Sequence, residues 1–220
     1  MKAQLYYHFT RAQHAINDIS LKRIKISRIT ELNDPYEFMG AAVTNDIQIN
    51  AQEKAIEEQN KSEGIICFSK SFENPVLWSH YADSHRGICL GFDIPDADHH
   101  IFPVKYIDKP FKPNLEINGI SAVTSSSESV YKLYISKFNH WLYENEARWF
   151  IPLNAGVQEA DHYFYLFSKQ LILREVILGV RCELPISNIE ELVRIYECPP
   201  KVFKAKKMAT EFKIEKQLRY

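Results

Sequence analysis

The order of the predicted strands and helices is the feature that most constrains the fold of this chain. Runs of β-branched and aromatic residues indicate strands, and apolar residues at every third or fourth position indicate helices. Strands are predicted at residues 4–10, 22–27, 64–69, 87–94, 102–107, 146–152, 162–167, 173–179, 202–206 and 212–216. Helices are predicted at residues 11–19, 47–62, 75–84, 128–140 and 185–196. The two types do not alternate regularly, so we expect an α+β fold with mixed, mostly antiparallel sheets and flanking helices.

Length and composition favour a single domain over residues 1–220. A chain of 220 residues that is 45% hydrophobic can bury a core without disulfide or metal staples. Its seven glycines form neither a long linker nor a phosphate-binding motif, which argues against Rossmann dehydrogenases and P-loop NTPases. No apolar run reaches the roughly 18 residues of a membrane span, and residues 4–10 alternate like a strand rather than a signal peptide. We therefore expect a cytoplasmic protein that does not associate with a membrane.

Charge is distributed unevenly along the chain. The last twenty residues carry seven basic and two acidic side chains, so the net charge of −1 divides into +5 for this tail and −6 for residues 1–200. A basic end of this kind can contact the phosphates of a nucleic acid. The alternative is a solvated edge strand whose lysines prevent pairing with other sheets. The sequence leaves both interpretations open.

The first predicted strand carries two candidate binding residues, His8 and Thr10. Side chains alternate between the two faces of a strand. Tyr6, His8 and Thr10 therefore lie on one face, and the residues on the other face are Leu5, Tyr7 and Phe9. A His-x-Thr pair at a strand end can offer an imidazole and a hydroxyl group to a ribose or an amide. The alternative is a half-exposed strand whose polar residues face outward.

A second candidate region begins where a buried strand ends in Ser69. Asn74 and Pro75 then predict the start of an aromatic-rich helix, on which Trp78 and Tyr81 share one face. A stripe of this kind usually packs into a core. Here the polar groups at the strand end would lie beside a ring that could stack on a flat ligand, which makes Ser69, Trp78 and Tyr81 candidate binding residues.

The third candidate region is a late strand with two carboxylates and one guanidinium group. If this strand begins by Glu144, the side chains of Glu144, Glu146 and Arg148 project from the same face. Arg148 would hold one glutamate ionised while the pKa of the other rises, an arrangement suited to acid/base chemistry or to stabilising an oxocarbenium ion. The alternative is a structural salt bridge on a solvated face.

A fourth region, which contains Asn33 and Asp34, has the composition of a turn in which these side chains bond to the nearby backbone. The eight histidines and four cysteines show no spacing typical of a metal site. We therefore expect no metal.

Four sequence motifs are spread over most of the chain. They are L-N-D-P-Y-E at 32–37, C-F-S and L-W-S-H-Y-A-D-S-H-R-G-I-C-L-G-F within 67–92, Y-E-N-E-A-R at 143–148 and E-V-I-L-G at 175–179. Together and in this order they resemble the bacterial uncharacterised family known as domain of unknown function 2971. That family name implies no activity.

A second resemblance implies an activity. An early strand with H-x-T, a middle strand ending in F-S and a late strand with E-x-E resemble the layout of NAD-dependent ADP-ribosyltransferases, including bacterial toxins and the DNA-modifying type. The resemblance implies NAD as a substrate and a protein or nucleic acid as the acceptor, in a toxin or antiphage-defence role. Glu146 would then stabilise the oxocarbenium charge on the nicotinamide ribose, and Glu144 would orient or activate the acceptor.

The same resemblance implies roles for the other candidates. His8 would hold the adenosine ribose or the nicotinamide side of NAD, in a cofactor-binding group that includes Thr10. Ser69 would brace the strand that shapes the nicotinamide pocket, and Tyr81 or Trp78 would stack on nicotinamide. Arg148 would fix the neighbouring glutamate or bind a phosphate.

The transferase hypothesis predicts that His8, Ser69 and Glu146 converge in one cleft. Its main alternative is a non-catalytic module with a pocket for a nucleotide or a modified base, lined by Asn33, Asp34, Trp78, Tyr81, Glu146 and Arg148. The basic tail of such a module would touch nucleic acid. A hydrolase that uses the two glutamates as acid and base is a third hypothesis.

Overall fold

The computed structural model describes residues 4–42, 46–111 and 132–217, and it has the α+β fold that the sequence predicts. The strands are β1 (Leu5–Thr10), β2 (Arg23–Ile26), β3 (Glu63–Ser69), β4 (Ile88–Asp93), β5 (Ile101–Pro103), β6 (Lys105–Ile107), β7 (Ser136–Phe138), β8 (Glu146–Pro152), β9 (Val157–Glu159), β10 (His162–Leu166), β11 (Ile172–Leu178), β12 (Lys201–Lys207) and β13 (Ile214–Lys216). The α-helices are α1 (Ala12–Ser20), α2 (Asp46–Ser62), α3 (Pro75–Tyr81), α4 (Ala97–His100) and α5 (Ile186–Leu192), and residues 132–135 are also helical. Short 3₁₀ turns occupy Ile29–Glu31, Asn139–Glu144, Leu153–Ala155 and Val193–Ile195.

The strands form one large sheet and two small ones. The large sheet has eight strands in the order β13-β12-β11-β4-β1-β3-β8-β5. Its neighbouring strands are antiparallel, except that β11 and β12 run parallel. The small sheets are an antiparallel one of β2, β10 and β9 and a parallel pair of β6 and β7. This mostly antiparallel arrangement agrees with the irregular order of strands and helices in the sequence.

Apolar side chains pack against both faces of the large sheet. Successive residues of a strand point to opposite faces, so Tyr6 and Tyr7 of β1 enter different cores. Tyr6 belongs to the larger core with Ile19 of α1 and Ile189 of α5. Tyr7 belongs to a smaller core with Trp78 of α3. The alternation predicted for β1 is therefore confirmed.

The large sheet separates between β1 and β3. These strands share the register pair Tyr7–Ser69, whereas β1 pairs with β4 and β3 pairs with β8 along their whole lengths. Further along β3, the backbone of Ile65 bonds to Ser27, at 2.7 Å and 2.9 Å, instead of to β1. A wedge thus opens between two strands of the sheet, and the candidate site lies beside it.

The start of α3 follows from its sequence. The Asn74 side chain accepts a hydrogen bond from the backbone N–H of Val76 at 2.9 Å, and Pro75 occupies the first helical position. Both residues are typical of a helix N-terminus. The helix ends at Tyr81, three residues earlier than predicted.

A left-handed turn explains this early end. Three consecutive residues of this turn have positive φ, namely Asp83 (46°), Ser84 (52°) and His85 (71°). The turn closes on Gly87, where a Cβ atom would collide with the carbonyl oxygen of Thr10. Glycine is therefore required where the turn meets β1.

Two of the predicted elements, the strand at 102–107 and the helix at 128–140, were wrong. Residues 102–107 do not form one strand but fall into β5 and β6, which belong to different sheets. Between them, Val104 donates its N–H to the carbonyl oxygen of Glu146 at 3.0 Å. The predicted helix over 128–140 is broken, because residues 136–138 form β7. The start of that predicted helix lies outside the described residues.

The basic tail forms the predicted closing pair of strands, β12 and β13, at one edge of the large sheet. Several of its lysines have partners within the fold. The contacts are Lys204 with the carbonyl oxygen of Cys182 (2.5 Å), Lys206 with Glu215 (3.2 Å), Lys213 with Glu211 (2.6 Å) and Lys216 with Glu175 (2.5 Å). These contacts favour the edge-strand interpretation, and contact with nucleic acid stays a prediction. Among the described residues, no helix is long and apolar enough to span a membrane.

Asp18 of α1 is a buried carboxyl group that makes stability depend on pH. Burial raises its pKa to about 7, although Arg23 opposes this shift. A folded-state pKa above the unfolded value of 3.8 stabilises the fold below pH 4, and this contribution is lost as the pH rises through 7. We expect Asp18→Asn to raise the free energy of unfolding by at least about 1 kcal/mol at pH 8 and to leave it nearly unchanged at pH 4. Urea unfolding at the two pH values measures this, and an equal effect at both would contradict it.

Candidate functional site

The centre of the candidate site is a buried cluster of three carboxylates and two cations. Lys137 Nζ lies 2.6 Å from Glu144 Oε2 and 2.9 Å from Glu146 Oε2. It also lies 3.1 Å from Oε1 of Glu37. Arg148 donates from Nε to Glu146 Oε1 at 2.8 Å and from a terminal nitrogen to Glu37 Oε2 at 2.7 Å. The cluster keeps a formal charge of −1, so its cations do not fully neutralise its carboxylates.

Strand β8 supplies two members of this cluster. Glu146 and Arg148 occupy alternate positions of β8 and share a face, as predicted, while Ala147 between them enters the core on the other side. Glu144 lies outside the strand, at the end of the 3₁₀ turn Asn139–Glu144. The strand begins at Glu146, as predicted, and not by Glu144, yet the Glu144 carboxylate still reaches Lys137 from the turn.

Asn145 allows the two glutamates to meet the same lysine. Its backbone is left-handed, with φ 45° and ψ 48°, and its carbonyl oxygen accepts a hydrogen bond from the N–H of Lys70 at 3.0 Å. Asparagine tolerates this conformation better than most residues with a side chain. The chain can therefore leave the turn and enter β8 within one residue.

This geometry predicts the effect of substitutions at Asn145. Valine is β-branched and disfavours positive φ, so Asn145→Val should lower the free energy of unfolding by about 1–2 kcal/mol. Asn145→Gly should change it by no more than a few tenths of a kcal/mol, because glycine adopts this conformation freely. Thermal unfolding of both variants tests this. Equal destabilisation by the two would show that the asparagine side chain matters rather than the backbone.

A chain of hydrogen bonds extends from the cluster to the surface. Asn33 donates from its amide nitrogen to the Tyr81 hydroxyl at 3.0 Å, and this hydroxyl donates to Glu144 Oε1. Ser69 donates from its hydroxyl to the carbonyl oxygen of Glu144 at 2.6 Å. Tyr81 of α3 thus holds the carboxylate of Glu144, and Ser69 of β3 holds its backbone carbonyl group.

The environment separates the pKa values of the two glutamates. Burial alone would raise the pKa of Glu146, but Arg148 and Lys137 outweigh it and lower the pKa to about 2. Burial raises the pKa of Glu144, and the charge of Glu146 raises it further, while Lys137 opposes both. This is the unequal pair that the sequence indicated, with Glu146 as the member of lower pKa.

The pKa values of the cations and of Tyr81 shift upward. Burial favours loss of the Lys137 proton, but the charges of Glu146, Glu37 and Glu144 raise its pKa above the usual value. Burial and the charge of Glu144 raise the pKa of the Tyr81 hydroxyl. At neutral pH, Lys137 is therefore an ammonium group and Tyr81 a hydrogen-bond donor.

A cavity of about 260 Å³ opens beside the cluster, at the wedge between β1 and β3. It is slightly smaller than the roughly 300–1,000 Å³ of typical ligand pockets, so it suits a ring with its ribose better than a whole dinucleotide. The predicted site residues that line it are His8, Asn33, Ser69, Tyr81, Glu144 and Glu146. The convergence of His8, Ser69 and Glu146 in one cleft, with Tyr81 beside them, agrees with the sequence prediction.

His8 joins this cavity from the opposite face of the sheet. Tyr7 and Ser69 are direct partners and share a face, so alternation turns His8 to the other face, where its ring lies 6.4 Å from that of Phe68. Its Nδ1 donates to the carbonyl oxygen of Cys67 at 3.0 Å. Burial lowers the pKa of His8, which favours a neutral ring with Nε2 as an acceptor.

The structure does not bring four of the predicted residues to the wall of this cavity. Thr10 ends β1 beside Gly87. Trp78 is fully buried, with its indole N–H donating to the carbonyl oxygen of Phe72 at 2.7 Å. Arg148 is fully buried behind its carboxylate partners, where it fixes Glu146.

The fourth, Asp34, lines a second cavity of about 420 Å³. Its carboxylate accepts a hydrogen bond from the backbone N–H of Tyr36 at 2.9 Å, which is the turn contact expected from the sequence. Lys137 lies in the walls of both cavities.

Sequence reasoning missed two members of the cluster, Glu37 and Lys137. Glu37 belongs to the L-N-D-P-Y-E motif, but a turn explained that motif without assigning a role to its last residue. Lys137 fell in a predicted helix, in which a lysine is an ordinary surface residue. Glu37 contacts Arg148 across 111 residues of the chain. Lys137 contacts Glu144 and Glu146, seven and nine residues away, from a strand where the sequence predicted a helix.

The contacts of the described residues leave acceptor positions free on both glutamates of the pair. Glu146 Oε2 accepts from Lys137 and Arg148, whereas Oε1 accepts from Arg148 Nε. A carboxylate oxygen can accept about two hydrogen bonds, so Oε1 can still receive one from a ligand hydroxyl. Glu144 has one such contact on each oxygen and a raised pKa, which suits it to accept a proton.

Within the described ranges, no group of three or more His, Cys, Asp or Glu side chains is arranged to hold a metal ion. Cys67 lines the cavity, but burial raises the pKa of its thiol, so it is not a thiolate at neutral pH.

Part of the chain is similar to a known family. Residues 77–149, which include most of α3, Lys137 and both glutamates of the pair, match the family described as Protein of unknown function (DUF2971). The match confirms the first resemblance over these residues. No curated protein and no solved structure matches the chain.

Proposed function

We propose that this protein is an NAD-consuming ADP-ribosyltransferase. The observation that carries the proposal is the convergence of His8, Ser69, Tyr81 and Glu146 on one cavity. They come from β1, β3, α3 and β8, and the resemblance to ADP-ribosyltransferases implies a part for each of them in binding NAD, in shaping its pocket or in its reaction.

Glu146 is suited to stabilise the reacting ribose. Its low pKa keeps it ionised at any physiological pH, and its Oε1 has room for a ribose hydroxyl. In the reaction, the bond between the ribose C1′ and the nicotinamide nitrogen breaks, and nicotinamide leaves as a neutral molecule with the electron pair. The positive charge that develops on the ribose is stabilised by a fixed carboxylate in a site shielded from water.

Glu144 is suited to serve the acceptor. As the acceptor atom bonds to C1′ it loses a proton, and Glu144 can take this proton because burial raises its pKa. Tyr81 fixes one carboxylate oxygen of Glu144 and also lines the cavity, where its ring can stack on nicotinamide.

Transfer of label from NAD tests the proposal and identifies the acceptor class. Purified protein would be incubated with NAD labelled in its adenylate group and, separately, with cell protein, DNA or RNA. We expect label in one of these arms and free nicotinamide in the same sample. Absence of both from folded protein in every arm would overturn the proposal.

A specific observation favours the alternative of a non-catalytic nucleotide-binding module. All four carboxylate oxygens of Glu144 and Glu146 already have protein partners, as in a structural ion cluster. A protein of this kind would bind NAD or a nucleotide and release no nicotinamide from it. Binding measured by calorimetry beside the label assay separates the two functions.

A further inference from the structure

We propose that Lys137 is a positioning residue, whose ammonium group holds Glu144 and Glu146 together as two ionised carboxylates. The effect of Lys137 on the reaction rate rests on the proposed function. Its effect on the ionisation of the two glutamates does not. Neither the sequence motifs nor the family match assigns Lys137 a role.

Each N–H group of the Lys137 ammonium has one carboxylate within reach. An ammonium group has three N–H donors, and Nζ lies within 3.1 Å of oxygens from Glu144, Glu146 and Glu37. The Lys137 side chain is 4% exposed, so water does not replace these contacts. The ring of Trp141, centred 5.0 Å from Nζ, covers the ammonium further.

Arg148 cannot take over this role for Glu144. Its contacts go to Glu146, to Glu37 and to the carbonyl oxygen of Tyr134. Lys137 is the described cation that contacts both Glu144 and Glu146. Without it, two buried carboxylates would face each other in a cluster of charge −2, and such a pair tends to share one proton.

A shared proton would disable both proposed roles. A protonated Glu146 would not stabilise positive charge on the ribose, and a protonated Glu144 would not accept a proton. The rate would then depend on pH in a higher range than it does in the wild-type protein. The titratable and charged groups that face the pair or its lysine are Glu37, Cys67, Tyr81, Tyr106, Tyr143 and Arg148.

Two variants separate charge from packing. Lys137→Met keeps an unbranched side chain of similar length but removes the ammonium. Lys137→Met combined with Glu37→Gln removes one carboxylate as well, which restores the wild-type cluster charge of −1 if Glu144 and Glu146 both remain ionised. Lys61→Met is the matched control, because Lys61 contacts Glu58 at 2.8 Å on an exposed helix face.

The first measurement is a carbon-13 NMR titration of glutamate carboxyl groups. We expect Lys137→Met to show a glutamate that titrates at least about one pH unit higher than in the wild type, and the double variant to recover part of this shift. Lys61→Met should leave both cluster glutamates unchanged. No shift in a folded Lys137→Met protein would overturn the inference. If that single variant does not fold, the double variant decides: wild-type titration in it would also overturn the inference.

The second measurement is the pH dependence of nicotinamide release. We expect the acid limb for Lys137→Met to move upward by about one pH unit, so that its rate relative to wild type falls by up to roughly tenfold at pH values below both limbs and recovers at pH values above them. A loss of activity equal at all pH values would indicate a purely structural role and contradict the proposal. If the wild type releases no nicotinamide, the proposed function fails, and the NMR titration still tests the inference.

Discussion

Replacing Arg148 by methionine is expected to lower the free energy of unfolding by about 3–5 kcal/mol, because the change leaves buried carboxylates without their partner. Arg148 is fully buried and holds Glu146 and Glu37 at 2.7–2.8 Å. Among the described cations, Lys137 alone would then contact the three carboxylates of the cluster. For a chain of this size we expect the melting temperature to fall by roughly 10 °C.

The matched control for this prediction is Arg174→Met. Arg174 also pairs with a carboxylate, Asp93, at 3.0 Å, but its side chain is 44% exposed. Exposed pairs contribute about 0–1 kcal/mol, so this variant should unfold close to the wild-type temperature. Equal melting temperatures for the two variants would show that the cluster does not hold the fold together.

Replacing Glu146 by glutamine is expected to lower the rate of nicotinamide release by about 10²–10³. The amide keeps the shape of the side chain but removes the charge that opposes the developing positive charge on the ribose. Arg148 and Lys137 would still face Glu37 and Glu144, so the variant should remain folded at assay temperature. Circular dichroism checks this before the rate is compared.

Glu159→Gln is the matched control for that rate. Glu159 pairs with Arg23 at 2.5 Å on the small sheet, with its side chain 62% exposed, and it is not among the residues that line the cavity. We expect wild-type release from this variant. A folded Glu146→Gln protein with the same rate as Glu159→Gln would remove Glu146 from the mechanism.

Local pattern accounts for the parts of the site that lie within single strands. The period-two rule placed Glu146 and Arg148 on one face and Ala147 on the other, and the structure agrees. The Asn74 cap likewise followed from residue type and spacing. These features depend on backbone geometry over a few residues, which a sequence displays directly.

Contacts between distant segments could not be predicted in this way. Arg148 and Glu37 are 111 residues apart, and nothing near either one names the other. Lys137 was lost because β7 was mistaken for part of a helix, and its strand geometry depends on pairing with β6.

His8 illustrates a third kind of limit. Alternation correctly turns it away from the face of Ser69, which by itself would exclude it from a shared site. It lines the same cavity because β1 and β3 separate after their pair Tyr7–Ser69, and strand separation leaves no mark in the sequence of either strand.

The most direct test of the proposed function is the release of free nicotinamide from NAD by the wild-type protein, measured by chromatography with and without protein, DNA or RNA as acceptor. We expect nicotinamide well above the buffer blank, with a further increase when the acceptor is present. Release no greater than the blank in every arm, from protein whose melting curve shows it to be folded, would contradict it.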